Sequence, residues 1–265
     1  MAKASIVLVH GAYHQPWHLQ ILANRLRDAG YTVSVPQLPC ASEDPPDSGL
    51  EADVAVVKAA LEHAAKTSDG IVALCHSYGG VVLSEAVAEV SEEAQSKVVR
   101  LIYLAAFVPP TPGFTVRQGG EAFPWEVSAP TVGPPNDIYR LISYSLLLIE
   151  QDELSIVHDT INMFYHDVEP SLAAEAASKV LPHANKCFST PTKHAGWKPF
   201  RCAFVITTED HVAPAAMVRW MLGEMFKDTE VKARWDVHEL ASSHSPFLSM
   251  PEKCVEIVEK YARVV

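Results

Sequence analysis

Apolar residues in the N-terminal part of the chain fall in short unbroken runs, and longer amphipathic stretches separate them. The runs predict strands at Ser5–Val9, Tyr31–Leu38, Ile71–His76 and Val99–Ala106. The stretches between them predict helices over Pro16–Ala29, Leu50–Lys66 and Tyr78–Val90. Gly30 ends the first helix, and the proline- and acid-rich segment Pro39–Gly49 reads as a loop. Strands that are apolar at nearly every position are covered on both faces. Strands separated by helices need right-handed crossovers, so a parallel sheet between helical layers is expected.

The alternation fails after Pro109 and resumes near Pro199. Prolines and glycines cluster at Pro109–Gly113 and Val132–Pro135, with helical patterns over Asp137–Leu148, Asp152–Phe164 and Pro170–Leu181. Strand Ala203–Thr207, helix Pro214–Phe226, strand Val231–Leu240 and a last helix over Pro251–Arg263 follow. The fold class expected is α/β: a six-stranded, mostly parallel sheet built from residues 1–108 and 200–265. Residues 109–199 are then a helical cap over the carboxyl ends of the strands, where ligands bind in such sheets. Its aromatics Phe123, Trp125, Tyr139, Tyr144, Phe164, Tyr165, Phe188 and Trp197 suit an apolar cavity.

Chemistry concentrates at three of these strand ends. Leu74-Cys75-His76-Ser77-Tyr78-Gly79-Gly80 carries a serine at a strand-to-helix turn, with small residues two positions to either side. This is the nucleophile-elbow pattern G-x-S-x-G with Cys75 in the first place. A plain helix N-cap would also use a serine there. Asp210 stands just past the strand ending at Thr207, and His244 lies in the loop after Leu240. The order Ser77, Asp210, His244 is that of the α/β-hydrolase triad, unlike the chymotrypsin or subtilisin orders. Two backbone amides are needed where charge develops on a carbonyl oxygen. Tyr78 and, after the first strand, Ala12 are placed to supply them.

The chain resembles the esterase and hydroxynitrile-lyase family of α/β-hydrolases, which includes plant methyl esterases. The resemblance rests on Val7-Leu8-Val9-His10-Gly11-Ala12-Tyr13-His14 with Trp17 and on His76-Ser77-Tyr78-Gly79-Gly80. It continues through Tyr103–Pro109, Phe164-Tyr165-His166-Asp167 and Ser243-His244-Ser245-Pro246-Phe247. The pocket above Ser77 is expected near Gly11, Tyr13 and His76 and the cap aromatics Trp125, Tyr139, Phe164 and Tyr165. Cyanohydrin-cleaving plant members resemble one another in a threonine after the first-loop histidine and a lysine after the catalytic histidine. Gly11 and Ser245 stand at those places here, which favours an esterase.

Composition narrows the field. A net charge of −11 leaves no basic stripe for nucleic acid, and no apolar run reaches the length of a membrane span. Met1-Ala2-Lys3-Ala4 leads into a core strand without a secretory signal pattern, and five scattered cysteines form no C-x-x-C pair, so a reducing cytoplasm is expected. His10, His14 and His18 are four apart, yet no H-E-x-x-H motif, Gly-rich dinucleotide fingerprint or P-loop accompanies them. No metal and no cofactor are expected. The partner expected is a small molecule, and a homodimer is allowed.

The reading is hydrolysis of a small, largely apolar carboxylic ester or lactone. Ser77 attacks, His244 shuttles the proton and Asp210 orients the imidazole. Two rivals keep the fold: a lyase or carbon–carbon bond hydrolase acting on a hydroxy-ketone, and a small-molecule receptor with an idle triad. Product analysis separates the first, and labelling by an organophosphonate the second. Without a cation at Ser245, departing cyanide lacks its stabilising charge. The protein is therefore expected to release negligible cyanide from mandelonitrile while hydrolysing small apolar esters. Cyanide release dependent on Ser77, with no esterase activity over a broad panel, would reverse that ranking.

Overall fold

The computed structural model describes residues 3–117, 154–157 and 159–262. Six strands form one sheet in the order β2-β1-β3-β4-β7-β8. They are β1 (Ser5–Val9), β2 (Thr32–Ser34), β3 (Ile71–His76), β4 (Val98–Leu104), β7 (Cys202–Thr207) and β8 (Trp235–Leu240). Every neighbouring pair is parallel, as the crossover argument requires. β1, β3 and β7 are buried at every position, which is why their sequences show no polar alternation. The register sets Val9 beside Cys75, His76 beside Leu104, and Thr207 beside Leu240. The loops carrying Ala12, Ser77, Asp210 and His244 therefore all leave the same edge of the sheet.

Helices cover the sheet. α2 (Leu50–Thr67) and α3 (Gly79–Glu89) pack on each other and on β1 and β3, and α1 (Gln20–Asp28) packs on the C-terminal helix Pro251–Ala262. Short α4 (Glu92–Ser96) begins at Ser91, whose side chain accepts from the Ala94 N–H. Between β4 and β7 the described residues contain a two-stranded antiparallel pair, β5 (Leu154–Ser155) with β6 (His183–Ala184). They also contain helices α5 (Thr160–Phe164), α6 (Pro170–Ser178) and α7 (Asn185–Ser189). After β7 come α8 (Ala215–Met225), α9 (Thr229–Lys232), α10 (Pro246–Ser249) and the terminal helix α11 (Pro251–Ala262).

Several boundaries differ from the sequence expectation. The strand expected over Tyr31–Leu38 shrinks to Thr32–Ser34, because Pro36 has no N–H for the ladder and the Leu38 N–H is taken by the His10 ring. The helix expected over Asp152–Phe164 is instead β5 followed by α5, with Asp159 between them at φ 53°, a conformation no helix interior accepts. The start of the strand expected at Val231 is a helical turn capped by Asp228, whose side chain accepts from Glu230 and Val231. Pro16 opens a 3-10 turn, Pro16–Leu19, before α1. The Asp137–Leu148 helix lies outside the described residues, as does the start of Asp152–Phe164.

Two glycines test the packing in opposite senses. A Cβ at Gly80 would sit 2.1 Å from the Phe107 carbonyl oxygen, whereas at Gly223 in α8 it meets nothing within 4 Å. Gly80→Ala is expected to destabilise by about 3 kcal/mol, the upper end for an overpacked interior. Gly223→Ala should stabilise by about 0.5–1 kcal/mol through helix propensity. Denaturant midpoints measured side by side check both; a neutral Gly80→Ala would contradict this packing.

Candidate active site

The elbow is made by strain and close approach. Ser77 follows β3 with φ 53°, in the left-handed region where a non-glycine residue costs about 1–3 kcal/mol. Its surroundings fix that conformation. The Ser77 N–H donates to Leu104 O at 3.2 Å, and its carbonyl accepts from Gly80 N at 3.0 Å and Phe107 N at 3.1 Å. α3 then leaves across the end of β1 so closely that a Cβ at Gly79 would lie 2.5 Å from His10 O. Cys75, in the motif's first position, is fully buried, with its thiol directed to Ile102 O at 3.4 Å. Ser77 itself is only partly buried, and among the described residues its Oγ makes no hydrogen bond.

Asp210 and His244 meet beyond β7 and β8. His244 Nδ1 donates to Asp210 Oδ2 at 2.7 Å, and both side chains are almost completely buried. The same oxygen accepts from Thr207 Oγ1 at 2.7 Å. Oδ1 accepts from the Val212 and Ala213 amides at 2.7 and 2.9 Å. Four donors on its two oxygens hold the carboxylate in one orientation. Nδ1–H toward Asp210 leaves His244 Nε2 as the bare nitrogen. Glu209 is exposed, whereas Asp210 is buried. No direct hydrogen bond joins Ser77 to His244, a looseness common in unliganded sites. Thr207, and Asp167, which accepts the Ser243 N–H at 2.9 Å, have site roles that the sequence does not assign, because single polar residues at loop starts carry no spacing signal.

The loop after β1 is held by imidazoles. Leu38 N–H donates to His10 Nε2 at 3.0 Å, so the His10 proton is on Nδ1, which donates to Gly11 O at 2.9 Å. His14 Nδ1 donates to Ala12 O at 2.8 Å, and its Nε2 accepts from Tyr165 Oη at 3.0 Å. His76 Nε2 donates to His244 O at 2.9 Å, gripping the backbone of the histidine that faces Asp210. Burial is the main cause that lowers all three, His10 to about 4 and His14 and His76 well below the usual 6.5. They are therefore neutral near pH 7, as these donor–acceptor roles require. The amides of Ala12 and Tyr78 donate to no other described residue.

The residues expected to form a pocket divide. Tyr13, at φ 66°, bonds Ser155 Oγ at 3.0 Å, and Phe164 stacks near the His244 ring with centroids 5.7 Å apart. Gly11 presses on the elbow: a Cβ there would lie 2.9 Å from both Ser77 Cβ and His76 Nδ1. His76 and Tyr165 have no exposed surface, and their bonds to His244 and His14 make them supports behind the site rather than lining. Trp197 is likewise inside the fold, its Nε1 donating to Pro109 O at 2.7 Å. Trp125 and Tyr139, with Phe123 and Tyr144, lie outside the described residues. The nitrogens of His10, His14 and His18 are all engaged in hydrogen bonds, which leaves none for a metal.

Comparison with known proteins places this geometry in context. Residues 6–257 match the family model described as "Alpha/beta hydrolase family". The chain is 26% identical to the "Alpha/beta hydrolase nvfD" of Aspergillus novofumigatus, over 99% of this chain and 98% of that protein. It is also 26% identical to the "Pyrethroid hydrolase" of Sphingobium wenxiniae, over 99% of this chain and 89% of that protein. Among solved structures, it is similar in fold to an extracellular alpha/beta-hydrolase from a Paenibacillus species, with TM-score 0.71 and 17% identity over 98% of this chain and 99% of that one. No helix of the described residues is long and apolar enough to cross a membrane.

Burial of so many imidazoles makes acid the weak point of the fold. His10 and His18 are lowered to about 4 and His183 to about 3, each chiefly by burial. As pH falls from 6.5 toward 4, the unfolded chain takes up protons that the folded chain refuses, so stability drops. Asp53 runs the other way, since burial raises it to about 6 and folding favours its protonated form below that value. One carboxyl does not offset five lowered histidines. Stability should therefore fall steeply over this window, by up to about 1.4 kcal/mol per pH unit for each group. Neither ring nitrogen of His183 has a partner among the described residues. His183→Phe should hold stability at pH 7 and move the acid midpoint lower; an unmoved midpoint in acid unfolding followed by circular dichroism would refute this.

Proposed function

The chain belongs to the alpha/beta hydrolase family, and from that premise we propose that it hydrolyses a small, largely apolar carboxylic ester or lactone through an acyl-enzyme on Ser77. The observation that carries this is the Asp210–His244 bond of 2.7 Å, which leaves a bare Nε2 at the edge where the strained Ser77 emerges. In this reading His244 Nε2 removes the Ser77 proton as Oγ attacks the carbonyl carbon. The same nitrogen returns the proton to the leaving alkoxide, and water then enters by the same path in reverse. Asp210 holds the tautomer and stabilises the imidazolium. The name of the Sphingobium relative, a pyrethroid hydrolase, supports an ester as the substrate class. Residues 109–199 are proposed to close over the site as a cap.

The free Ala12 and Tyr78 amides are assigned to the oxyanion. Gly11 C=O and Ala12 N–H belong to one trans peptide, so they point in opposite directions. By donating to Gly11 O, His10 turns the Ala12 N–H toward the position of the developing charge. His14 holds the next peptide through Ala12 O. This loop also explains why a threonine cannot be grafted at position 11: its Cβ would strike the Ser77 side chain, 2.9 Å away. Ser245 is fully buried, which makes a lysine there equally unsuited to this chain.

Three substitutions test the reading on any ester the protein cleaves. Ser77→Ala should lower kcat by roughly 10^4–10^6-fold and abolish labelling by an organophosphonate, with folding intact. Asp210→Asn should cost about 10^4-fold by favouring the wrong tautomer, while Glu209→Gln stays near wild type. The reverse ranking would sink the assignment of the acid. His10→Phe should lower kcat by up to about 10^2-fold with KM little changed, because the oxyanion forms after binding. His10→Asn, which keeps a donor near Nδ1, should recover part of that loss; equal effects of both on KM alone would contradict the role given to His10.

A further inference from the structure

Three polar donors converge behind the elbow, in a place the hydrolytic chemistry does not use. Cys40 comes from the loop after β2, Asp53 from α2 and Cys187 from α7 of the insertion. The two thiol sulfurs and a carboxylate oxygen of Asp53 lie within 4.8 Å of one another, and all three residues are buried. Asp53 Oδ1 accepts from Cys40 N at 2.9 Å, and Oδ2 accepts from Tyr78 Oη at 2.9 Å, so each oxygen keeps a second lone pair. Cys40 Sγ donates to Gly49 O at 3.1 Å. Among the described residues, the groups that act on Asp53 are Cys40 and Tyr78, neither of them a cation.

We propose that Cys40, Cys187 and Asp53 bind a borderline or soft divalent cation of the zinc class. The donor set selects the ion: two sulfurs and one carboxylate suit Zn2+ or Cd2+ and not Mg2+, which takes oxygen ligands. The spacing suits it too, since two sulfurs about 2.3 Å from a tetrahedral ion stand ~3.8 Å apart, inside the 4.8 Å within which all three ligand atoms lie. Binding releases the thiol protons of Cys40 and Cys187 to solvent, gives up the Cys40–Gly49 bond, and leaves the Asp53 carboxylate ionised. The surroundings oppose ionisation of these groups in the absence of the ion: burial raises Asp53 to about 6, and the hydrogen bond with Cys187, followed by burial, pushes the Cys40 thiol up. A divalent charge inverts that balance.

The carboxylate is what favours a cation over a disulfide. Thiol exchange begins with a thiolate, and a neighbouring anion suppresses it, whereas the same anion completes a metal's donor set. The ion would tie a core loop and α2 to α7 of the insertion, directly beneath Tyr78. This inference is independent of the ester-hydrolase reading.

The full chain is unfolded in guanidinium with a chelator, refolded with Cd2+, Zn2+ or Mg2+, and desalted before metal analysis. Wild type is expected to retain about one equivalent of Cd2+ or Zn2+ but not Mg2+, with thiolate-to-Cd2+ charge-transfer absorbance. Cys187→Ala should retain about ten-fold less and lose the absorbance, while Cys254→Ala, a buried cysteine in α11, should match wild type. Cys40→Ala is the second variant. Circular dichroism shows which variants fold, and Cys187→Ala decides if Cys40→Ala does not. Less than a tenth of an equivalent in folded wild type, undiminished retention in Cys187→Ala, or a native Cys40–Cys187 disulfide each overturns the proposal.

Discussion

The left-handed backbone of Ser77 is the constraint on which the rest of the site depends. At φ 53° the residue pays a local cost that only its neighbours sustain: Leu104, Phe107 and Gly80 bond its backbone on both sides. That arrangement needs β4 level with β3, and α3 passing within contact of the end of β1. Parallel order across β1, β3 and β4 provides the first condition, and the absence of a side chain at Gly79 provides the second. The strained serine is thus a property of the whole sheet, which explains why it stands at the one edge where four loops converge.

A second theme is the use of neutral imidazole as scaffold. His10, His14 and His76 each donate one proton to a backbone carbonyl of the loops that frame Ser77, and His10 and His14 accept a bond on the other nitrogen. An imidazole can donate on one side and accept on the other only while it is uncharged. Burial keeps it so and makes the arrangement directional. A lysine or arginine in these places would bring a charge into a desolvated interior beside His244 and oppose the imidazolium that proton transfer creates. The consequence of this economy is an interior that loses stability in acid, where the unfolded chain binds protons that these rings refuse.

Asp210 and Asp53 show how differently two buried carboxyls can be treated. Asp210 receives four hydrogen bonds, including two from successive amides at the turn into α8, and faces an imidazole that can share its charge. Asp53 receives two hydrogen bonds and faces thiols, and burial leaves it raised to about 6. The first environment fixes a carboxylate in one orientation. The second suits a charge that gains a cation. Tyr78 has its amide at the elbow and its hydroxyl on Asp53.

Local pattern by itself determined the sheet and the order of its chemical loops. Continuous apolar runs can only be buried strands, and helices between them impose parallel order, so the edge bearing Ser77, Asp210 and His244 was legible from residue types alone. Glycine at 79 and a serine between strand and helix carried the elbow, because steric demands act over a few residues. What the chain did not reveal was every feature set by contacts distant in sequence. The fate of the Leu38 N–H, drawn to His10, shortened β2; pairing with β6 turned the segment at Leu154 from helix to strand. His76 and Tyr165, read as pocket residues, became supports because their partners lie 168 and 151 positions away. The Cys40–Asp53–Cys187 triangle has no spacing motif, since three separate elements bring it together. Only the tertiary structure, by deciding which buried polar atoms must satisfy one another, could assign them.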